Sequence, residues 1–253
     1  MSNDAALTPA QNFKNLLVQY RSELKGLMPA DISEARLLQT CLTVVKNDPV
    51  LIQCDGLSLI KCVQDAFRLN LDPGGALGLC YFIAYGKQAQ FQLGYQGICE
   101  LMYRTGRIGG IVAKEVYEGD IFHYSYGSDQ KLRHVPDMGR DEKKVEHFYC
   151  YATLDCKHFT FDVMTREEVE RIQARARSKS GPWKTDWVEM GKKTVLKRYS
   201  KTLPKSVEAH RMIQEDNVKE FGQPEVPKVD VGDGEPDWAN VKATVVEGAH
   251  GDN

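Results

Sequence analysis

Apolar residues recur at helical spacing through the first quarter of the chain. In NFKNLLVQYRSELKGLM they stand at Phe13, Leu16, Leu17, Tyr20, Leu24 and Leu27, which predicts a helix. SEARLLQTCLTVV predicts a second helix, with Asp31 ahead of it as a cap, and LSLIKCVQDAFRLNL predicts a third. DPGG at Asp72–Gly75 breaks the pattern. The period then shortens. GLCYFIAY and AQFQLGY are β-type runs on either side of Gly86–Lys87, which predicts a hairpin. GICELMYRTG reads as a short helix ended by Gly106. IGGIVAKEVYEGDIFHYSYG, HFYCYATLD and KHFTFDVM read as strands, and the polar insert HVPDMGRDEKKVE separates two of them. Helical spacing returns in TREEVERIQARARS, which opens on a capping box of Thr165 and Glu168. A further helix runs from near Asp186 to about Leu203, where Pro204 stops it. From Val207 onward long apolar runs are sparse, and GQPEVPKVDVGDGEPDW is rich in Pro, Gly and acid, so little fixed structure is expected there.

This order predicts an α+β fold: central strands with a β-hairpin, flanked by helices, with N-terminal helices and a disordered acidic C-terminal tail. Three regions follow. Residues 1–35 form an N-terminal helical segment suited to oligomer contacts, 36–206 the core, and 207–253 an acidic flexible tail.

Composition narrows the class. The chain has 253 residues, 42% hydrophobic and 27% charged, as in a soluble globular protein. No apolar run approaches the roughly 18 residues needed to cross a membrane. The N-terminus lacks the charged-then-apolar order of a signal peptide, so a cytoplasmic protein is expected. Seven cysteines are scattered with no C-x-x-C pair, which excludes the usual zinc and thioredoxin-like motifs. They are read as reduced thiols packed as small hydrophobes.

Charge changes the picture most. The formal net charge is only −2. Yet Thr165–Lys205 holds 12 Lys and Arg against 5 Asp and Glu, and Val207–Asn253 holds 4 against 11. A basic segment is followed by an acidic one, the pattern of a polyanion-binding surface beside a solvating or partner-binding tail. On a helical wheel, Lys192 falls among Val188, Val195, Leu196, Tyr199 and Leu203 on the apolar side. It must therefore snorkel, pair with a buried acid or reach a ligand. Lys193, Lys197 and Lys201 form a stripe on the other side, and Arg198 stands apart. The preceding helix adds Arg171, Arg175 and Lys179 at the same spacing. One helical turn separates neighbours, about 6 Å, close to the phosphate spacing along a nucleic-acid strand. A merely solvated face would carry acids at salt-bridge spacing, and here few do. Lys184 adjoins Trp183; Trp187 follows; Tyr81, Phe82, Tyr85, Phe91 and Tyr95 crowd the hairpin. Cations interleaved with aromatic rings suit single-stranded nucleic acid, although rings on strands are more often core.

Two motifs fail. GKKT at Gly191–Thr194 would need a glycine where Asp186 stands to be a phosphate loop, and no G-x-G-x-x-G occurs. No nucleotide site is therefore expected. Asp137 and Asp141 with Lys143 resemble the acids and lysine of a magnesium-dependent nuclease, but they crowd one turn-like stretch instead of neighbouring strands. Glu115, Glu118 and Asp120 read as turn acids. The histidines have no metal-ligand spacing, and no metal or other cofactor is expected.

The ordered series SLIKCVQDAFRLNLDP, QFQLGYQGICELMYRTGRI, VYEGDIFHYSYG, VEHFYCYATL, VMTREEVERI, GPWKTDWVEMGKKTVLKR and LPKS resembles the RecT family of phage and prophage recombinases, over roughly residues 40–206. The resemblance implies a non-enzymatic single-strand annealing protein in a bacterial cytoplasm. Such a protein coats single-stranded DNA left by a partner 5′–3′ exonuclease and pairs it with its complement without ATP. It implies ring or helical-filament homo-oligomers with DNA in a basic groove. The cations of GKKTVLKR fall where the family's basic motif falls, which carries over Lys192, Lys193, Lys197 and Arg198. Lys201 is added on helical geometry, and Arg104 and Arg107 as weaker candidates. The tail, with Trp238 as anchor, is expected to meet a partner such as the host single-stranded DNA-binding protein. The alternative is a protective single-strand binder that does not anneal.

Overall fold

The computed structural model describes residues 8–27, 33–75, 77–139, 141, 144–155, 158–176 and 181–221. All of them fall in one compact unit that ends at Gln223. Lys179, Trp238 and most of the acidic tail lie outside the described residues.

Helical structure forms where predicted at the N-terminus, but the first predicted helix is divided in two at Tyr20. α1 (Pro9–Gln19) starts on a capping box of Thr8 and Gln11, with Pro9 in its first turn. α2 (Arg21–Gly26) follows at once. α3 (Glu34–Asn47) is capped by Ser33, whose hydroxyl accepts from the Arg36 N–H; Asp31, the expected cap, lies outside the described residues. α4 (Gly56–Leu69) is capped by Asp55 and ends at Asn70, which takes the left-handed conformation that closes a helix. Phe13, Leu17, Leu24, Leu37 and Phe67 from these helices are all buried in the main core.

β1 (Cys80–Tyr85) and β2 (Gln88–Leu93) pair antiparallel across the Gly86–Lys87 turn, with Gly86 at positive φ. Phe82 and Phe91 pack inward, while Tyr81 and Tyr85 are each 43% exposed. α5 (Tyr95–Tyr103) follows directly. Its Gly97 is required by close approach: a Cβ there would lie 1.9 Å from the Leu79 carbonyl oxygen.

The centre of the molecule is a three-stranded antiparallel sheet of β3 (Ile108–Tyr117), β6 (Val145–Leu154) and β7 (Phe159–Thr165), in the order β3-β6-β7. β4 (Ile121–Ser125) and β5 (Lys131–Val135) form a separate hairpin over part of its outer face, where Phe122 and Leu132 pack on buried Val116, Tyr149, Phe161 and Val163. The polar insert expected after β4 thus gives up its first residues, His134 and Val135, to β5.

α6 (Arg166–Arg175) opens on the Thr165–Glu168 capping box. A four-residue turn of helix, α7 (Pro182–Thr185), precedes α8 (Trp187–Tyr199), which lies on the inner face of the sheet. The last element, α9 (Val207–Phe221), corrects the expected boundary of the tail. Ser206 caps it through the Ala209 N–H. Ala209, Met212, Ile213 and Asp216 recur at helical spacing and are all buried. Burial of Met212 and Ile213 contributes about 1.5–3 kcal/mol each, enough to fix a helix that its acidic composition disguises. α9 packs on α4, α5 and β2. It closes the open edge of β2: Leu93 N–H donates to Asp216, and Lys219 donates to the Phe91 carbonyl. The segment 207–221 therefore belongs to the folded unit.

Six cysteines are buried thiols. Burial pushes Cys62 up to about 12 and Cys99 up to about 11, so these thiols stay protonated and unreactive. No helix among the described residues is long and apolar enough to cross a membrane.

Candidate nucleic-acid interface

α8 carries most of the cations singled out by sequence, and its seating decides their roles. Val195, Leu196 and Tyr199 are buried as predicted. Gly191 is where the helix touches the sheet: a Cβ there would meet the Phe148 ring at 2.3 Å. The glycine of GKKT thus serves helix-to-sheet packing.

Lys192, on the apolar side, is partly buried and pairs with one exposed and one partly buried acid. Its ammonium lies 2.5 Å from Glu189 and 3.6 Å from Glu115 of β3. Burial opposes its charge, but the two carboxylates outweigh it and hold its pKa above the ordinary lysine value.

The expected open stripe of lysines is corrected. Lys193 and Lys197 are only 8% and 6% exposed, because α9 covers them. Lys197 Nζ lies 2.5 Å from Asp216 and 2.7 Å from Glu220; Lys193 Nζ lies 3.9 Å from Asp216. The two lysines differ accordingly. Burial pulls Lys193 below its usual value, since its acid is distant. Burial also acts against Lys197, but two close carboxylates overcome it and raise its pKa. Asp216 is lowered overall: burial alone would raise it, and the two lysines reverse that. Glu220 also accepts from the indole of Trp183, which is buried and offers no open face for stacking.

Arg198 is a clasp between elements. Its guanidinium meets both oxygens of Asp162 at 2.7 Å, Glu168 at 3.1 Å and the Val163 carbonyl. It thereby ties α8 to β7 and α6. Arg104 is similar. It donates to the Leu69 and Asn70 carbonyls at the end of α4 and pairs with Glu100.

The excess of positive charge counted along the segment is thus partly cancelled within the fold. Glu189, one turn before Lys192, is the local answering acid; Glu115, Asp162, Glu168, Asp216 and Glu220 are remote in sequence from the lysine or arginine they meet. Spacing alone could not reveal them, although the buried stripe of α9 was a readable signal.

What stays open is a smaller set. Arg107, Arg171, Arg175, Lys184 and Lys201 are exposed, with no ion pair among the described residues. Arg171 and Arg175 lie one turn apart on α6. α7, with Lys184, adjoins α6 through a hydrogen bond from Gln173 to the Trp183 carbonyl. Nearby, Arg166 lies 5.0 Å over the Trp187 ring, whose N–H donates to Gln173. Lys201 follows the far end of α8, about 18 Å along the helix from its start.

The nuclease reading finds no support in geometry. Asp137 and Asp141 lie together on the loop between β5 and β6. Among the described residues, no three His, Cys, Asp or Glu side chains are grouped to hold a metal ion. Glu118 pairs with Lys144, and Asp120 accepts from His134 and two backbone N–H groups.

The described unit is a compact α+β fold with exposed arginines and lysines on adjacent helices, Arg171 and Arg175 on α6 and Lys184 on α7, a surface chemistry suited to a polyanion. Residues 35–229 match the RecT family model, and the chain belongs to that family of recombination and annealing proteins. It is 34% identical over 205 residues to Protein RecT of Escherichia coli (strain K12), covering 78% of this chain and 76% of that protein. It is 29% identical over 221 residues to the uncharacterized protein YqaK of Bacillus subtilis (strain 168), covering 82% and 77%.

Proposed function

We propose that this protein binds single-stranded DNA and pairs complementary strands without ATP. The observation that carries the reading is the family match, which runs from α3 through α9. The chemistry is consistent with it. Exposed Arg171, Arg175 and Lys184 suit phosphates, which need no base-reading code. Gly191, the residue that invites a phosphate-loop reading, is occupied with Phe148.

In this reading the protein acts in the bacterial cytoplasm after a partner 5′–3′ exonuclease exposes a strand. It assembles as a ring or helical filament on that strand and retains the annealed duplex. Its C-terminal tail meets a partner such as the host single-stranded DNA-binding protein. No catalytic step is assigned. Lys193, Lys197 and Arg198 contribute by fixing α8 against its neighbours.

Two dye-labelled complementary strands, mixed with the protein and no nucleotide, test the reading. Pairing faster than for naked strands supports annealing. Binding with slowed pairing would make the protein a protector instead.

A further inference from the structure

The outer face of the β3-β6-β7 sheet is only partly covered. The side chains on it alternate with those facing α8, four from each strand: Gly110 to Val116, His147 to Thr153 and Phe159 to Thr165. None of these outward positions is an Asp or Glu, whereas the inner face holds Glu115 and Asp162. The β4-β5 hairpin covers the end near Tyr149 and Val163 and leaves Tyr151 and Phe159 partly open. Tyr126, just past β4, is 55% exposed.

The rings are ordered. Tyr126 stacks on Phe161 at 5.0 Å with planes 17° apart, and Phe159 lies 6.0 Å from Phe161 at 16°. Tyr151 stands directly across from Phe161 in the register. Tyr126 is fixed, because its hydroxyl accepts from the Val163 N–H on the sheet edge. Gly109 and Gly110 leave bare backbone beside Thr153, where a ligand can approach closely. Exposed Lys114 lies on the same face, and exposed Arg107 precedes β3.

We propose that this open end, carried by Tyr126, Tyr151 and Phe159, is a stacking surface for the bases of a bound single strand. The inference rests on the single-strand reading above and adds where the bases go. Near-parallel aromatic rings suit flat π-systems. Outward strand positions without carboxylates, with Lys114 among them and Arg107 at the border beside Asp155, admit the attached phosphates. Stacking also leaves the pairing edges of the bases free, as annealing requires. A second copy of the chain would find the same rings, but the lack of carboxylates among the outward strand side chains, with Lys114 among them, favours a polyanion.

The test compares binding of a base-bearing oligonucleotide with that of an abasic oligonucleotide of equal length. Wild-type protein should prefer the first by about tenfold or more, the equivalent of one or two stacked bases. The Y151L/F159L variant keeps apolar bulk and should lose that preference while binding the abasic strand as before. Photocross-linking of iodouracil-substituted DNA to wild-type protein reads the same contact without a variant, and should label Tyr126, Tyr151 or Phe159. Salt-sensitive binding of both strands without preference, or cross-links confined to other residues, overturns the proposal and leaves the annealing reading standing. A variant that changes assembly size but keeps the preference also overturns it, marking an interface between copies. Failure of wild-type protein to bind either strand would instead remove the reading beneath it.

Discussion

Lys197 of α8 and Asp216 of α9 meet inside the protein, Nζ 2.5 Å from Oδ2, with 7% and 3% of their side chains exposed. A lysine that spacing assigns to a polyanion surface is therefore a fastener between two helices. The consequence is measurable. Lys197→Met should lower stability by about 3–5 kcal/mol, because it strands Asp216 and Glu220 in a buried site. Protein that remains folded should keep its salt-dependent DNA binding. Denaturant unfolding beside a binding titration checks both.

The same cluster predicts an acid response. Lys193, Lys197 and the Leu93 N–H face Asp216 and hold its pKa below the ordinary value of about 3.9; Glu220 lies beside it on α9. Its contribution to stability is therefore fully present above that ordinary value and is lost as pH falls through the depressed one. Lys193 has the opposite sign. Its depressed pKa is a penalty that fades as pH rises through its folded value toward about 10.4. Amide exchange should show α9 losing protection before the β3-β6-β7 sheet as pH is lowered below about 4. Simultaneous loss would contradict this assignment.

The exposed cations should behave differently. Arg171→Ala, Arg175→Ala and Lys184→Ala should each leave stability within about 0.5 kcal/mol and weaken binding to all single-stranded sequences alike. Each lost phosphate contact should flatten the logarithmic salt slope by about 0.7. Titrations at four salt concentrations on two unrelated sequences provide the check.

Arg104 and Arg107 make a matched pair for separating stability from binding. Arg104 holds the carbonyl end of α4, so Arg104→Ala should cost about 1–3 kcal/mol of stability and leave the salt slope alone. Arg107 is exposed, so Arg107→Ala should leave stability unchanged and reduce the slope.

Local features were legible in the sequence. The Gly86–Lys87 turn and the Thr165–Glu168 capping box are each decided by a few adjacent residues, and both form as predicted. The candidate site was less legible, for two physical reasons. Arg198 is answered by Asp162 and Glu168, and Lys192 by Glu115 in addition to its helix neighbour Glu189; the contacts with Asp162, Glu168 and Glu115 exist only after the strands pair and α8 docks. Charge counted along a chain is not charge at a surface. The helical spacing of Ala209, Met212, Ile213 and Asp216 is present in the sequence, but it is embedded in a segment, 207–253, whose acid excess resembles a solvated tail. The outer-face rings near Tyr151 were read only as strand residues, since facing direction depends on the register with β3 and β7.

The central claim is that exposed cations hold a strand by its phosphates while it finds its complement. The most direct measurement is the rate of pairing of two labelled complementary strands, without ATP, across a salt series, for wild-type protein and the R171A/R175A/K184A variant. Wild-type protein should speed pairing in a way that fades as salt rises, and the variant should give a weaker, flatter acceleration at unchanged stability. Equal acceleration by both proteins at every salt concentration would contradict the claim.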